Sequence, residues 1–397
     1  GLWSLIDPPV QRGVRPHPEL WEQEKAMQRA LQGVDEASIE GLLESNGLKL
    51  IHFALLPEKN PDVPGRLFNN NAIFTITAAD AATQHRALVL RVLNCHPWRQ
   101  RRNGPNEVAT LKWLEAQSMP LTSRVIDFSV DGKSSPLHCE FILMEKLPGV
   151  QLRHLWPSLT MSERLVYLRQ LVEWLHTLYA VPRPGGDRPG LASLRLDDEG
   201  EVVADQPVVL VDGPTLPTAS KHGFAALATS ILEDACSRLP SGSLKEALEG
   251  VIRKDLCEYA ARYEQEGAPA EELRLCHNDL NLGNILVLPE EGRLSGIVDW
   301  EGASWGFTDQ DLLDLDELAQ SCGAAGQLVL GVLRPAPGHV ERQRLMELLR
   351  EVPGLYFFNA TWYGALADQA ARKAASLNES RLAEEAILRW LAKAKQQ

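Results

Sequence analysis

The run Leu275-Cys-His277-Asn-Asp279-Leu-Asn281-Leu-Gly-Asn284-Ile-Leu-Val287 and the later segment Ile297-Val-Asp299-Trp300-Glu301 set a carboxylate, an amide and a second carboxylate around short apolar stretches. Those are the groups that phosphoryl transfer asks of a protein. The reaction needs little covalent help, because most of its catalysis comes from aligning the acceptor oxygen with the γ-phosphate and neutralising negative charge. Asp279, on a loop ahead of an expected strand over 285–288, can accept the hydroxyl proton. Magnesium prefers oxygen ligands and keeps several waters, so Asn284 and Asp299 with the phosphates suffice to hold it. The two residues flank a hairpin-like pair of apolar stretches, 285–288 and 294–298, joined by the turn-forming 289–293, which would bring both ligands to one end of a sheet. His277 is expected to brace the loop by hydrogen bonding. A single Asp or Asn before an apolar strand is ordinarily a turn residue. It is the joint order His277, Asp279, Asn284, Asp299 that specifies the chemistry.

The segment resembles the aminoglycoside phosphotransferase and choline kinase-like group, distant relatives of the protein kinases. That group shows His-Gly-Asp followed by Asn, then an Ile-Asp-Trp-Glu type segment. Asn278 stands where the glycine is usual, a variant similar to fungal members of the group. The resemblance implies Asp279 as catalytic base with His277 beside it, Asn284 and Asp299 as magnesium ligands, and ATP or GTP as donor. It also implies an α+β, two-lobed protein-kinase-like fold. Residues 1–146 would form an N-terminal extension and a small lobe of antiparallel sheet plus helix. Residues 147–397 would form a large, mostly helical lobe carrying the catalytic loop and the acceptor site.

A kinase-like small lobe needs a cation on a strand and a glutamate on a helix to pair with it. Ala87-Leu-Val-Leu-Arg91-Val-Leu is an apolar strand interrupted by one cation, and Asn106-Glu107-Val-Ala-Thr-Leu follows it, with Asn106 as the expected helix N-cap. The resemblance implies that Arg91 steadies the α/β-phosphates, since a guanidinium can bridge phosphate and carboxylate, with Glu107 behind it. It further implies a nucleotide contact near Asn71, in the triple-Asn stretch after Gly65. An interlobe hinge over 141–149 would offer adenine the backbone of Glu145 and Leu147.

The net charge of −13 argues against nucleic acid, which demands basic patches. The short cationic cluster at 99–102 does not reverse that. An acidic excess suits a cationic small-molecule acceptor, and the run Thr308-Asp309-Gln-Asp311-Leu-Leu-Asp314-Leu-Asp316-Glu317 is the best local source of attraction, read otherwise as an amphipathic helix with Leu312, Leu313 and Leu315 inward. With 397 residues and 44% hydrophobic content the chain can bury a large core, and no stretch has the apolar length to span a membrane. Six cysteines without CxxC pairs and no secretory signal point to the cytoplasm.

Elsewhere the pattern is mostly helical. Helices are expected at 18–25 and 37–44, and at 160–178 with Thr160 or Ser162 near the N-cap; the helix end Leu175-His176-Thr-Leu178 resembles the central helix of the family's large lobe, which implies that His176 is packed inside. Further helices are expected over 219–238, 242–266, 338–351 and 378–395. The Pro- and Gly-rich segment 182–217 holds a probable hairpin at 193–203. The expected function is ATP-dependent transfer of the γ-phosphate to a hydroxyl of a small molecule. The alternative is a pseudokinase-like module that binds a nucleotide or metabolite with little or no catalysis. Protein kinase activity is disfavoured, since no Asp-Phe-Gly or Ala-Pro-Glu segment is present.

Overall fold

The computed structural model describes residues 34–55, 71–93, 103–130, 132, 135–186, 190–206, 208, 223–239, 241–264, 273–333, 339–352 and 370–394. The expected helix at 18–25, the Gly65 stretch as far as residue 70, the cationic cluster at 99–102 and the segment 212–215 lie outside these residues.

Helix α1, Glu36–Ser45, starts at Asp35, whose carboxylate accepts the Ser38 N–H at 2.9 Å while the Ser38 hydroxyl accepts the Asp35 N–H at 3.0 Å. This reciprocal cap satisfies two amides that the first turn leaves unpaired. Five strands follow, β1 (Lys49–Leu55), β2 (Asn71–Ala79), β3 (His85–Leu93), β4 (Val125–Ser129) and β5 (Phe141–Glu145), with helix α2 (Asn103–Ala116) between β3 and β4. They form one antiparallel sheet in the order β1-β2-β3-β5-β4. Alternation along a strand decides which face each side chain meets. Leu88, Leu90 and Val92 of β3, with Phe141 and Leu143 of β5, pack into one core with Ile39, Leu42 and Leu43 of α1. Val89, Ile142 and Met144 fall on the opposite face and join Val108 and Leu111 of α2 in the larger core. Arg91 is therefore carried to the α2 face by the same period of two that buries its neighbours.

Beyond β5 the chain leaves this sheet. Strand β6 (Val150–Gln151) pairs with β10 (Ile285–Leu288), which pairs in turn with β11 (Arg293–Ile297). Helix α3, Met161–Tyr179, is capped by Thr160 with Glu163 in a second capping box and buries Leu168, Leu171, Val172, Leu175 and Leu178. His176 is exposed, against expectation, because it falls beyond the edge of that buried stripe. Strands β7 (Ser193–Leu196) and β8 (Val202–Gln206) form the expected hairpin. They are followed by α4 (Phe224–Arg238), α5 (Ser243–Val251), β9 (Leu273–Cys276) and β12 (Ser304–Phe307), the last two pairing with each other. The remaining helices are α6 (Asp309–Ser321), α7 (Gly323–Gly331), α8 (His339–Glu351) and α9 (Ala370–Ala394). The fold is thus α+β, an antiparallel sheet with its helices followed by a mostly helical part. Among the described residues no helix is long and apolar enough to cross a membrane.

Candidate active site

The loop 277–284 is slung between two strand pairs, because β9 enters it paired to β12 and β10 leaves it paired to β11. Its own amides point at α6. One carboxylate oxygen of Asp311 accepts the His277 N–H at 3.0 Å and the other accepts the Asn278 N–H at 2.7 Å. Asp314, one turn on, accepts the Leu280 N–H at 2.8 Å. Residues three apart share a helix face, so this pair forms a two-point cradle under the loop. Burial pushes the Asp311 carboxyl up to about 6 and Asp314 to about 7, against the pull of these donors and, for Asp314, of Arg350 at 3.3 Å. The acidic run forms the expected helix with its leucines inward and departs from expectation in its carboxylates. Leu312, Leu313 and Leu315 are buried, but so are Asp309, Asp311 and Asp314. Asp309 pairs with the buried Arg342 at 2.6 Å, and Asp316 accepts from Gln320 and Gln327 at 2.7 and 3.1 Å. The buried carboxylates Asp309, Asp311 and Asp314 are spent on contacts within the protein, while Glu317 at the end of the run is exposed.

His277 is fully buried, with its ring 4.6 Å from that of Trp300. Nε2 lies 3.0 Å from the Val298 carbonyl and Nδ1 accepts the Asp279 N–H at 3.3 Å. A carbonyl can only accept, so Nε2 carries the proton and the ring is neutral. The imidazole ties the residue before Asp299 to the backbone of Asp279. Burial lowers its pKa from 6.5 to about 4. Between these values the unfolded chain binds a proton that the native ring refuses, so this residue's contribution to stability is whole above pH 6.5 and is lost as pH falls toward 4. Asp311 and Asp314 act with the opposite sign over a similar range, and the histidine is best read by difference. The stability gap between the wild type and His277→Ala, measured by urea unfolding, is expected to be wider at pH 7.5 than at pH 5.

Asn278 adopts a left-handed conformation with φ at +65°. Asparagine is among the few residues besides glycine that accept it, which explains how Asn replaces the glycine of the related motif. Its side-chain amide donates to the Gly302 carbonyl and to the Ser304 hydroxyl, each at 2.9 Å. Asn278→Ala, which loses both bonds and keeps the strained φ, is expected to cost about 2 kcal/mol in urea unfolding, and Asn278→Gly less.

The carboxylate of Asp279 is held at both oxygens. Asn281 donates to Oδ1 at 2.8 Å and Asn284 to Oδ2 at 2.9 Å, and the Asn284 amide also reaches the Asp279 carbonyl at 2.8 Å. Burial raises the Asp279 carboxyl to about 6 against these donors. Asn281, overlooked in the sequence, is fixed in turn by the Gly283 N–H on its own oxygen at 2.8 Å. A carboxylate accepts only from the NH₂ end of an amide, so Asn284 has its oxygen left for another partner. The Val298 N–H donates to the Asn284 carbonyl at 2.9 Å, which sets Asp299 beside it across the hairpin. Asp299 also sits in the left-handed region, with φ at +72° and ψ at +57°. An amide oxygen and a carboxylate at one end of a hairpin are a donor set that fits magnesium completed by phosphate and water. Among the described residues no group of three or more His, Cys, Asp or Glu side chains is placed to hold a metal ion.

Arg91 and Glu107 form a buried ion pair. The same guanidinium reaches Asp299 at 3.1 Å and Glu301 at 3.7 Å, so one cation joins the sheet, α2 and the 299–303 turn. These three anions hold the Arg91 cation above its ordinary pKa despite the cost of burial. Burial pushes Glu107 up to about 7, with Arg91 opposing. One atom of each member, Arg91 Nε and Glu107 Oε2, is buried without a hydrogen-bond partner. Asn106 is not the N-cap. The helix begins three residues earlier, at Asn103, and Asn106 lies inside it with its side chain turned to other segments. Asn71 opens β2 opposite Leu93. The Glu145 N–H is spent on the Arg124 carbonyl at 2.9 Å and its carboxylate on Arg86, so that N–H is not a free adenine donor. Leu147 follows outside the strand, its side chain so close to Gly296 that a Cβ there would lie 2.6 Å from Leu147 Cδ1.

A model of the phosphotransferase enzyme family matches residues 68–318, more than half of the chain. The chain belongs to this family. The match includes β2 to β12, both lobes of the site and the cradle on α6. Among solved structures, the ADP-bound aminoglycoside phosphotransferase APH(2'')-Ib is similar with a TM-score of 0.51 at 15% identity, covering 89% of this chain and 99% of that one. The GDP complex of wild-type aminoglycoside 2'-phosphotransferase-IIIa has a TM-score of 0.51 at 15% identity, covering 86% and 94%. At such identity the likeness shows the fold of these phosphotransferases. No curated protein matches the sequence.

Proposed function

We propose that this phosphotransferase family member transfers the γ-phosphate of ATP or GTP to a hydroxyl of a small molecule, with residues 1–146 and 147–397 as its two lobes. The observation that carries the reading is the convergence at one end of the β10–β11 hairpin. Asp279 is clamped there by two amides, and the Asn284 oxygen and Asp299 lie beside it. Arg91 binds Asp299 and Glu107 together. The acceptor hydroxyl gives its proton to Asp279 as its oxygen bonds to phosphorus. The bond from phosphorus to the bridging oxygen breaks, a nucleoside diphosphate leaves, and Asp279 returns the proton to solvent. Both carboxylate oxygens already accept one hydrogen bond, and each has a lone pair left for the incoming hydroxyl.

Asn284 and Asp299 would hold magnesium, which when bound offsets the charge of the phosphates. Arg91 steadies the α/β-phosphates and Glu107 keeps the guanidinium in place. His277 orients Asp279 through its backbone. Asn71 borders the nucleotide, and the backbone of Leu147, with the Glu145 carbonyl, lies along the adenine side. The ADP and GDP held by the two similar phosphotransferases support a nucleotide donor. The acceptor is a small molecule, and the charge of −13 suits a cationic one at long range. We place the protein in the cytoplasm.

Calorimetric titration with ATP and GTP tests the donor half. Binding is expected to need Mg²⁺ and to weaken at least about tenfold in Asp299→Asn, a loss of about 1.4 kcal/mol. Equal affinity in EDTA, or in the variant, would contradict the metal assignment.

A further inference from the structure

Asn106 sits inside α2, where asparagine is a poorer helix former than alanine. Its side chain does work that alanine could not. Nδ2 donates to the carbonyls of Glu301 at 3.1 Å and Ala303 at 2.8 Å, the two residues that frame the end of the metal-ligand turn. Oδ1 accepts the Leu194 N–H of β7 at 2.8 Å. One side chain thus joins three segments that are far apart in sequence, and all its polar atoms are satisfied.

The third segment is itself anchored. Ala192 and Trp305 exchange backbone hydrogen bonds at 3.1 and 2.7 Å. Arg183 donates to the carbonyls of Gly190 at 2.6 Å and Ala204 at 3.1 Å, across the base of the β7–β8 hairpin. The hairpin is therefore a fixed wall against α2. Further along the helix, the Trp113 indole donates to the Pro182 carbonyl at 2.9 Å. Glu107 is the residue after Asn106, and its partner Arg91 also grips Asp299 and Glu301. A helix tied at its first turn to both the turn and the hairpin cannot swing without breaking three hydrogen bonds.

We propose that Asn106 is a positioning residue that locks the Arg91–Glu107 pair and the 299–303 turn into one arrangement, with the β7–β8 hairpin as the outer anchor. This role rests on the function proposed above.

Hydrogen exchange and Mg·ATP titration on the full chain test it. In Asn106→Ala the amides of 192–196, 301–304 and the first turns of α2 are expected to exchange about tenfold faster or more. The cradled amides of 277, 278 and 280 should keep their protection. The Kd for Mg·ATP should rise about tenfold, equivalent to about 1.4 kcal/mol. Asn106→Asp keeps the acceptor for Leu194 and loses both donors, so it should loosen 301–304 while sparing 192–196. That variant carries the test if the alanine protein folds poorly. Unchanged exchange at 301–304 in both variants, or faster exchange with unchanged Kd, would overturn the role. A wild-type chain that binds no Mg·ATP would overturn the proposed function and this role with it. Normal binding in both wild type and variants would overturn the role alone.

Discussion

Asp279→Asn is expected to lower the rate of phosphoryl transfer roughly a thousandfold, within the range that a positioned general base supplies, and to leave nucleotide binding nearly intact. The substitution keeps the shape and removes the proton acceptor. An asparagine must place its NH₂ opposite one of the two amides that now donate to the carboxylate. Asn281 is exposed and can turn away at the cost of its bond from the Gly283 N–H, while Asn284 is 8% exposed and fixed between the Asp279 carbonyl and the hairpin. The new oxygen should therefore face Asn284, preserving the Asn284 and Asp299 side of the site. Steady-state ADP release together with a Mg·ATP titration checks both halves. A variant with full turnover would show that some other group accepts the proton.

Arg91→Met is expected to destabilise the fold by about 3–5 kcal/mol, the usual cost of removing one partner from a buried ion pair. Glu107 is 1% exposed and would be left without its counter-charge. Burial already holds the Glu107 carboxyl up at about 7. Without Arg91 the native state would keep its proton to higher pH, while the unfolded chain releases it near 4.5. A raised carboxyl pKa makes stability fall as pH rises, so the deficit should be larger at pH 8 than at pH 5. Adding Glu107→Leu should recover most of the stability by replacing the pair with packed apolar groups, without recovering nucleotide binding. Urea unfolding of the single and double variants measures the first claim and calorimetry the second. Restored binding in the double variant would mean that Arg91 is structural only.

Much of this site was legible because its residues are close in sequence or follow a simple period. His277 to Asn284 is one loop, and Asp299 lies one hairpin away. Arg91 stood out as the one cation in an apolar strand, with Glu107 following it. The less legible parts depend on long-range contacts between polar side chains and backbone. Asp311 and Asp314 looked like surface charge, yet their i, i+3 spacing among buried leucines was the sign that they face inward. Asn106 carried a helix-cap signature, and its true partners, at 194, 301 and 303, follow from tertiary packing that local sequence does not encode. The resemblance of its Leu-His-x-Leu helix end to the central helix of the family implies a His176 packed inside, whereas the buried stripe of α3 passes it by. Asn281 offered little signal beyond its place two residues after Asp279.

The most direct test of the account is to follow the γ-phosphate itself. Wild-type protein with Mg·ATP would be incubated with aminoglycosides, choline-like amines, sugars, amino alcohols and hydroxylated secondary metabolites, and the phosphorus spectrum recorded. The account predicts that with an accepted hydroxyl compound a phosphomonoester and ADP appear one for one, and that in Asp279→Asn both appear roughly a thousandfold more slowly. Mg·ATP bound tightly by the wild type, with no transfer to any acceptor or to water, would contradict it and favour a nucleotide-binding module without catalysis.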